Sequence, residues 1–177
     1  MPWNNQNLVI YHGCDDQSAA DILNNGVDLN RCQSLTDFGQ GFYLTTNLDQ
    51  ASYWANIRCR PMIKGGNPVL ATVIQFELMR DDAASRDILF FTNELPNTQY
   101  WDFAMHCRST SPPVGAAQHK RHSKNPYDIV TGPVSLLPGQ PQVIKDYDQI
   151  SLHTSNAVNL LTTGKIVKQG DRQNPLL

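Results

Sequence analysis

The run Val69-Leu70-Ala71-Thr72-Val73-Ile74-Gln75-Phe76-Glu77-Leu78 constrains this chain more than any other segment. It begins almost continuously apolar and β-branched and ends in alternation. A strand of that composition belongs in the centre of a sheet rather than at its edge. The other segments are shorter. Leu8-Val9-Ile10-Tyr11 reads as a buried strand ending at His12-Gly13. Residues 16–25 read as a helix with Ala19, Ile22 and Leu23 on one face and Gly26 in the C-terminal cap position.

After a polar loop over 30–36, Phe38-Gly39-Gln40-Gly41-Phe42-Tyr43-Leu44 reads as a glycine-bent turn feeding a short strand. Thr46 or Asn47 caps the next helix, which runs to about Arg60 with Leu48, Ala51, Ala55 and Cys59 near one face. Pro61 fits its end, and Lys64-Gly65-Gly66-Asn67-Pro68 is a turn. Residues 86–91 suit helix or strand, and 95–107 suit a helix with Trp101, Phe103, Ala104 and Met105 as its apolar mass. The polar stretch 109–126 is a long loop, of a length that is usually functional or disordered. Tyr127-Asp128-Ile129-Val130 is a strand, and Pro133 and the 138–141 stretch mark a turn-rich connection. Residues 149–154 alternate as a half-buried strand, Ser155 caps a helix through Leu161, and Lys165-Ile166-Val167-Lys168 adds a last strand. Seven or so short strands with interspersed helices predict an α+β fold, with one domain over 1–168 and a loose tail over 169–177.

Composition narrows the function classes. The 177 residues carry a net charge of −2, so no global basicity points to nucleic acid. No apolar run approaches the ~20 residues of a membrane span, and the first residues lack the charged and apolar regions of a signal peptide. The expectation is a cytoplasmic protein without a membrane partner, delivery into another cell remaining compatible with it. Cys14, Cys32, Cys59 and Cys107 form no CxxC pair and read as reduced thiols, so no metal site is expected.

Two segments carry candidate chemistry. A glycine at the strand end His12-Gly13 lets a ligand approach the backbone, and the histidine offers a hydrogen bond to a hydroxyl. Taken alone, such a pair is an ordinary turn. The second segment is Asp37-Phe38-Gly39-Gln40-Gly41-Phe42-Tyr43-Leu44-Thr45-Thr46, followed by Gln50-Ala51-Ser52-Tyr53-Trp54-Ala55. Its two glycines allow a bent, closely approaching backbone, but without a third glycine it is no dinucleotide fingerprint.

Together these segments resemble the ADP-ribosyltransferase superfamily, in the histidine–tyrosine–glutamate branch shared by diphtheria-type toxins and poly(ADP-ribose) polymerases. The strand-end motif is His12-Gly13; the turn-to-strand motif is Gly39-Gln40-Gly41-Phe42-Tyr43, with the aromatic Trp54 eleven residues after Tyr43. The pattern is most similar to a bacterial family carrying DFGxGFYLTT…QAxxWA. The likeness covers residues 8–55 and, less closely, 127–161. Where most active members place a glutamate at the start of a late strand, this chain has Gln149.

The resemblance implies two small sheets, a split β-sandwich around an NAD cleft, with flanking helices. It implies that NAD binds as a substrate through His12, Gly13, Gly41, Tyr43 and Trp54. Gly13 would hold the nicotinamide carboxamide through its backbone, His12 the adenosine ribose, and Tyr43 would stack on the nicotinamide, with Trp54 walling the pocket. Gln149, with Tyr43 and His12, would make up the catalytic set, Gln149 bonding the 2′-hydroxyl of the nicotinamide ribose. Glutamine keeps that bond but loses the charge and cannot act as a base. Tyr147, two residues earlier, argues against an arginine acceptor. The implied activity is mono-ADP-ribosyl transfer to a protein or nucleic acid, by a toxin or effector with an antitoxin or immunity partner. An NAD glycohydrolase and a non-catalytic NAD-binding module are the alternatives. On this reading Tyr43→Ala spares folding and Gln149→Glu is tolerated. The cluster His119-Lys120-Arg121-His122-Ser123-Lys124 is a solvated loop or a contact to NAD phosphates or nucleic acid.

Overall fold

A computed structural model describes residues 6–59, 63–64, 67–92, 98–109, 127–137 and 141–170. It is α+β. In chain order the elements are β1 (Leu8–Asp15), α1 (Asp16–Asn25), β2 (Phe42–Leu44), α2 (Leu48–Cys59), β3 (Ile63–Lys64), β4 (Asn67–Pro68) and β5 (Ala71–Leu78), with a 3-10 turn at Leu29–Arg31. There follow α3 (Arg80–Ala83), β6 (Ile88–Phe90), α4 (Thr98–Ser109), β7 (Ile129–Ser135), β8 (Val143–Leu152), α5 (Ser155–Val158) and β9 (Lys165–Gly170). Two small sheets, in the orders β1-β5-β9 and β2-β8-β7-β6, are accompanied by the minimal hairpin β3-β4. No helix among the described residues is long and apolar enough to cross a membrane.

The chain divides into two compact units, each discontinuous in sequence. The first comprises residues 1–27, 44–80 and 161–177, and the second 28–43 and 81–160. In the first, β5 is the central strand its composition demanded, antiparallel to both neighbours. Helix α1 has the expected bounds. Asp15 caps its start by accepting from the Ser18 N–H at 2.9 Å, and the Gly26 N–H closes its end on the Ile22 carbonyl at 3.0 Å. Asn47 caps α2, its Oδ1 accepting from the Asp49 and Gln50 N–H groups. The i, i+4 row Ala51, Ala55, Cys59 is buried against Val69, Ala71 and Val73. These side chains are small, so helix and sheet come close together.

The second unit is built around an aromatic core. On α4 the buried face is Tyr100, Phe103, Ala104 and Cys107, spaced as one helical stripe, while Met105 is exposed. Phe38 and Phe91 pack against that stripe with ring centroids 5.4–6.3 Å apart.

Several expectations are corrected here. Strand β1 does not end at Gly13 but continues to Asp15. Residues 88–90 are a strand, settling the ambiguous segment. Pro133 lies inside β7 rather than in a connection; the β7–β8 register shifts between Pro133 and Ser135, and such a bulge tolerates a residue with no N–H to donate. Strand β8 begins at Val143, and its Gln149–Leu152 end is buried on both faces rather than half-buried. Helix α5 has four residues, and Thr154, not Ser155, caps it. Strand β9 reaches Gly170, two residues past the expected domain end. The basic cluster 119–124 and the turn glycines 65 and 66 lie outside the described residues.

Candidate functional site

The sequence-predicted site residues fall into both units: His12, Gly13 and Trp54 in the first, Gly41, Tyr43 and Gln149 in the second. Each group has its own geometry.

His12 and Gly13 are interior residues of β1, opposite Ile74 and Val73. A Cβ on Gly13 would stand 2.1 Å from the Ala51 carbonyl oxygen of α2, so helix–strand packing by itself demands a glycine there. Its backbone direction is separately informative. Tyr11 exchanges hydrogen bonds with Thr45, N–H to carbonyl at 2.8 Å and 3.0 Å, on the side of β1 away from β5. Backbone direction repeats every two residues along an unbroken antiparallel ladder, so the Gly13 N–H and C=O point to that same side. Trp54 is half-buried on α2, edge-on to the exposed ring of Tyr53 at 5.7 Å.

In the second unit the turn 36–43 folds onto β8. Tyr43 is half-buried, with its hydroxyl tied inward. That hydroxyl accepts from the Phe38 N–H at 2.9 Å, donates to the Gly39 carbonyl at 2.9 Å, and lies 2.6 Å from Thr36 Oγ1. Burial pushes the phenol above its ordinary pKa, so it stays protonated. The turn is therefore strapped to its own tyrosine and the ring is held in one place. The ring also packs against the aromatic core, stacking on Phe38 at 6.3 Å. These ties argue against the expectation that Tyr43→Ala spares folding, because truncation would remove the bonds that strap the turn and leave the Phe38 N–H without this acceptor.

Gly41 serves the same closeness. A Cβ there would meet Ser151 Oγ at 2.5 Å and the His153 ring at 2.8 Å. Residues 149, 151 and 153 alternate to one side of β8, and that side is polar and buried: Gln149, Ser151, His153. The His153 Nδ1 lies 2.9 Å from the Gln40 carbonyl, and that acceptor requires the proton on Nδ1. Its Nε2 is buried without a partner among the described residues. Burial pushes His153 down to about 4, opposed in part by the bond to Gln40, so the ring is neutral.

Gln149 meets a residue that motif reading passed over. Its Nε2 donates to Asp37 Oδ2 at 2.8 Å and to the Pro133 carbonyl at 2.7 Å. Asp37 is 2 % exposed and holds three further bonds: from Arg108 Nε at 2.6 Å, from the Ser135 N–H at 2.8 Å and from Ser135 Oγ at 2.5 Å. The only hint of this in the sequence is an aspartate heading the Phe-Gly-x-Gly turn; its partners lie up to 112 residues away.

None of the four cysteines forms a disulfide, and burial pushes Cys14 and Cys107 up to about 12 and Cys32 up to about 11, which keeps these three thiols protonated. Among the described residues no three His, Cys, Asp or Glu side chains are grouped to hold a metal ion.

No curated protein matches the chain. A family model described as a protein of unknown function, DUF3990, matches residues 8–170, nearly the whole chain, and the protein belongs to that family.

Proposed function

We propose that this protein cleaves NAD at the nicotinamide glycosidic bond and transfers ADP-ribose to a macromolecular acceptor, a protein or a nucleic acid. The observation that carries this reading is the joining of two distant motif elements. The Gly-x-Gly-aromatic-Tyr turn and the late-strand residue Gln149 are hydrogen-bonded together through Asp37, in one compact unit. A fixed aromatic ring and a fixed acceptor are the parts that nicotinamide stacking and ribose positioning require. The pair of small sheets with flanking helices accords with the ADP-ribosyltransferase architecture that the motifs resemble. The roles of Gly13, His12 and Trp54 rest on the resemblance alone.

In the reaction the bond between ribose C1′ and the nicotinamide nitrogen breaks. Its electron pair leaves with nicotinamide, which becomes neutral, and the ribose carries oxocarbenium character. The acceptor then adds to C1′ and loses a proton. Tyr43 would hold the departing ring by its face. Gln149 would orient the ribose through its 2′-hydroxyl. Glutamine takes no proton, so the acceptor must be nucleophilic without help from position 149. Toxin or effector activity with an antitoxin partner is the biological setting that the resemblance implies.

Incubation with NAD labelled in its ADP-ribose portion tests this. Label on a macromolecule supports transfer, and free labelled ADP-ribose makes the protein a glycohydrolase. Intact NAD, after every candidate acceptor class has been supplied, overturns the enzyme reading in favour of a binding module.

A further inference from the structure

Gln149 faces two groups that can only accept. Asp37 Oδ2 and the Pro133 carbonyl oxygen both lie within 2.8 Å of its Nε2. The Pro133 carbonyl also receives the Tyr100 hydroxyl at 2.9 Å. A reversed amide would set Oε1 against a carboxylate oxygen and a carbonyl oxygen, with two acceptors repelling a third. The amide can therefore sit only one way, with the nitrogen inward and Oε1 turned from the Asp37 network. Both of these hydrogen bonds, to Asp37 and to Pro133, are made by Nε2, not by Oε1. Asp37 itself cannot swing aside, because Arg108 and Ser135 hold its two oxygens.

We infer that Asp37 is a positioning residue that locks the Gln149 amide so that Oε1 is presented as a neutral acceptor to a sugar hydroxyl, in a position built for an amide and not for a carboxylate. The identity of that hydroxyl, on the nicotinamide ribose, rests on the NAD reading above. The lock itself rests on the hydrogen-bond geometry.

The consequence reverses the expectation drawn from sequence, that Gln149→Glu is tolerated. In that variant an ionised carboxylate would place an oxygen where Nε2 now donates, against the Asp37 carboxylate. A protonated carboxyl at the same position would fit: its O–H donates inward and its C=O points outward, in the pattern of the native amide. The charged and titratable groups around the position are Asp37 on the turn, Arg108, Tyr100 and Cys107 on α4, Tyr43 on β2, and His153 on the same side as Gln149 just beyond β8. Arg108 is already engaged by Asp37, so burial and the facing carboxylate dominate and raise the introduced carboxyl. Glutamine has no such titration.

The test compares the full-length protein with Gln149→Glu across pH 5 to 8.5, by two readouts. Thermal unfolding needs no substrate. The variant's deficit in melting temperature is expected to be small at pH 5 and to widen as pH rises, because the folded state resists losing that proton. Nicotinamide release from NAD is expected to fall in the variant, relative to the parent, by about tenfold per pH unit above the raised pKa, as the protonated fraction falls. Gln149→Met is the uncharged comparison: it keeps the length, removes the amide, and is expected to lose turnover by about 10²–10³. Its unfolding deficit relative to the parent should show no such pH slope. A Gln149→Glu deficit that is flat with pH in unfolding overturns the lock. A sloping deficit in a protein whose parent releases no nicotinamide keeps the lock and overturns the NAD reading instead.

Discussion

Acidification should destabilise the second unit through one buried imidazole. His153 is 1 % exposed; its Nδ1–H is spent on the Gln40 carbonyl and its Nε2 has no partner among the described residues. A proton on Nε2 would create a buried cation with no counter-charge among its described contacts, which is why burial drives the pKa from 6.5 down to about 4. The unfolded chain keeps the ordinary value. Above pH 6.5 the ring is neutral in both states and contributes no pH dependence. As pH falls through 6.5 the unfolded state takes up the proton first, so stability is lost progressively until about pH 4, where the folded protein protonates too. A shift of that size corresponds to about 3 kcal/mol at most, at about 1.4 kcal/mol per unit. Urea unfolding at pH 7.5 and 4.5 measures it, with His153→Asn as reference. Asparagine places an N–H where Nδ1 stands and does not titrate, while every other group titrates equally in both proteins. The parent should lose about 2–3 kcal/mol more than the variant, an extra fall of about 1–3 M in the urea midpoint. Equal pH dependence in the two proteins would refute the assignment of a neutral, unpartnered Nε2.

The remaining predictions concern packing and the Asp37 network. Gly13→Ala should destabilise the first unit by at least about 1–3 kcal/mol in chemical denaturation, because the new Cβ meets the α2 backbone at 2.1 Å rather than a side chain that can turn aside. Arg108→Ala should cost about 3–5 kcal/mol by the same measurement, since it leaves the Asp37 carboxylate buried without its cation. Tyr43→Phe should lower stability by about 1–3 kcal/mol, because the Phe38 N–H loses its acceptor; on the proposed NAD reading it should keep more nicotinamide release than Tyr43→Ala, because the proposed stacking ring survives.

Much of the architecture was legible because local pattern and tertiary environment agreed. The bounds of α1 followed from an apolar face and a terminal glycine, and the buried row of α2 from its small residues at i, i+4 spacing. The apolar run of β5 identified a central strand. Each of these needs only a period and a stop signal. Where the pattern misled, a long-range partner had changed the meaning of a local residue. Pro133 signals a break in isolation, but a register shift against β8 lets the strand continue through it. Residues 149–152 alternate in polarity as if one face met water, yet the polar side is buried under the 36–43 turn, against which a neutral histidine and an amide find partners.

The sequence by itself determined the α+β class, the central strand, the two well-bounded helices and the positions of the His-Gly and Gly-x-Gly-aromatic-Tyr motifs. All of these are written in neighbours within a few residues of one another. Only the tertiary structure decided that Gly13 is required by a helix backbone, and that Tyr43 straps its own turn. It also revealed that Gln149 is oriented by Asp37, 112 residues earlier in the chain. The physical reason is the same in each case. A side chain's period and type record whether it is buried, but the direction of a hydrogen bond depends on which donor or acceptor the fold brings opposite it.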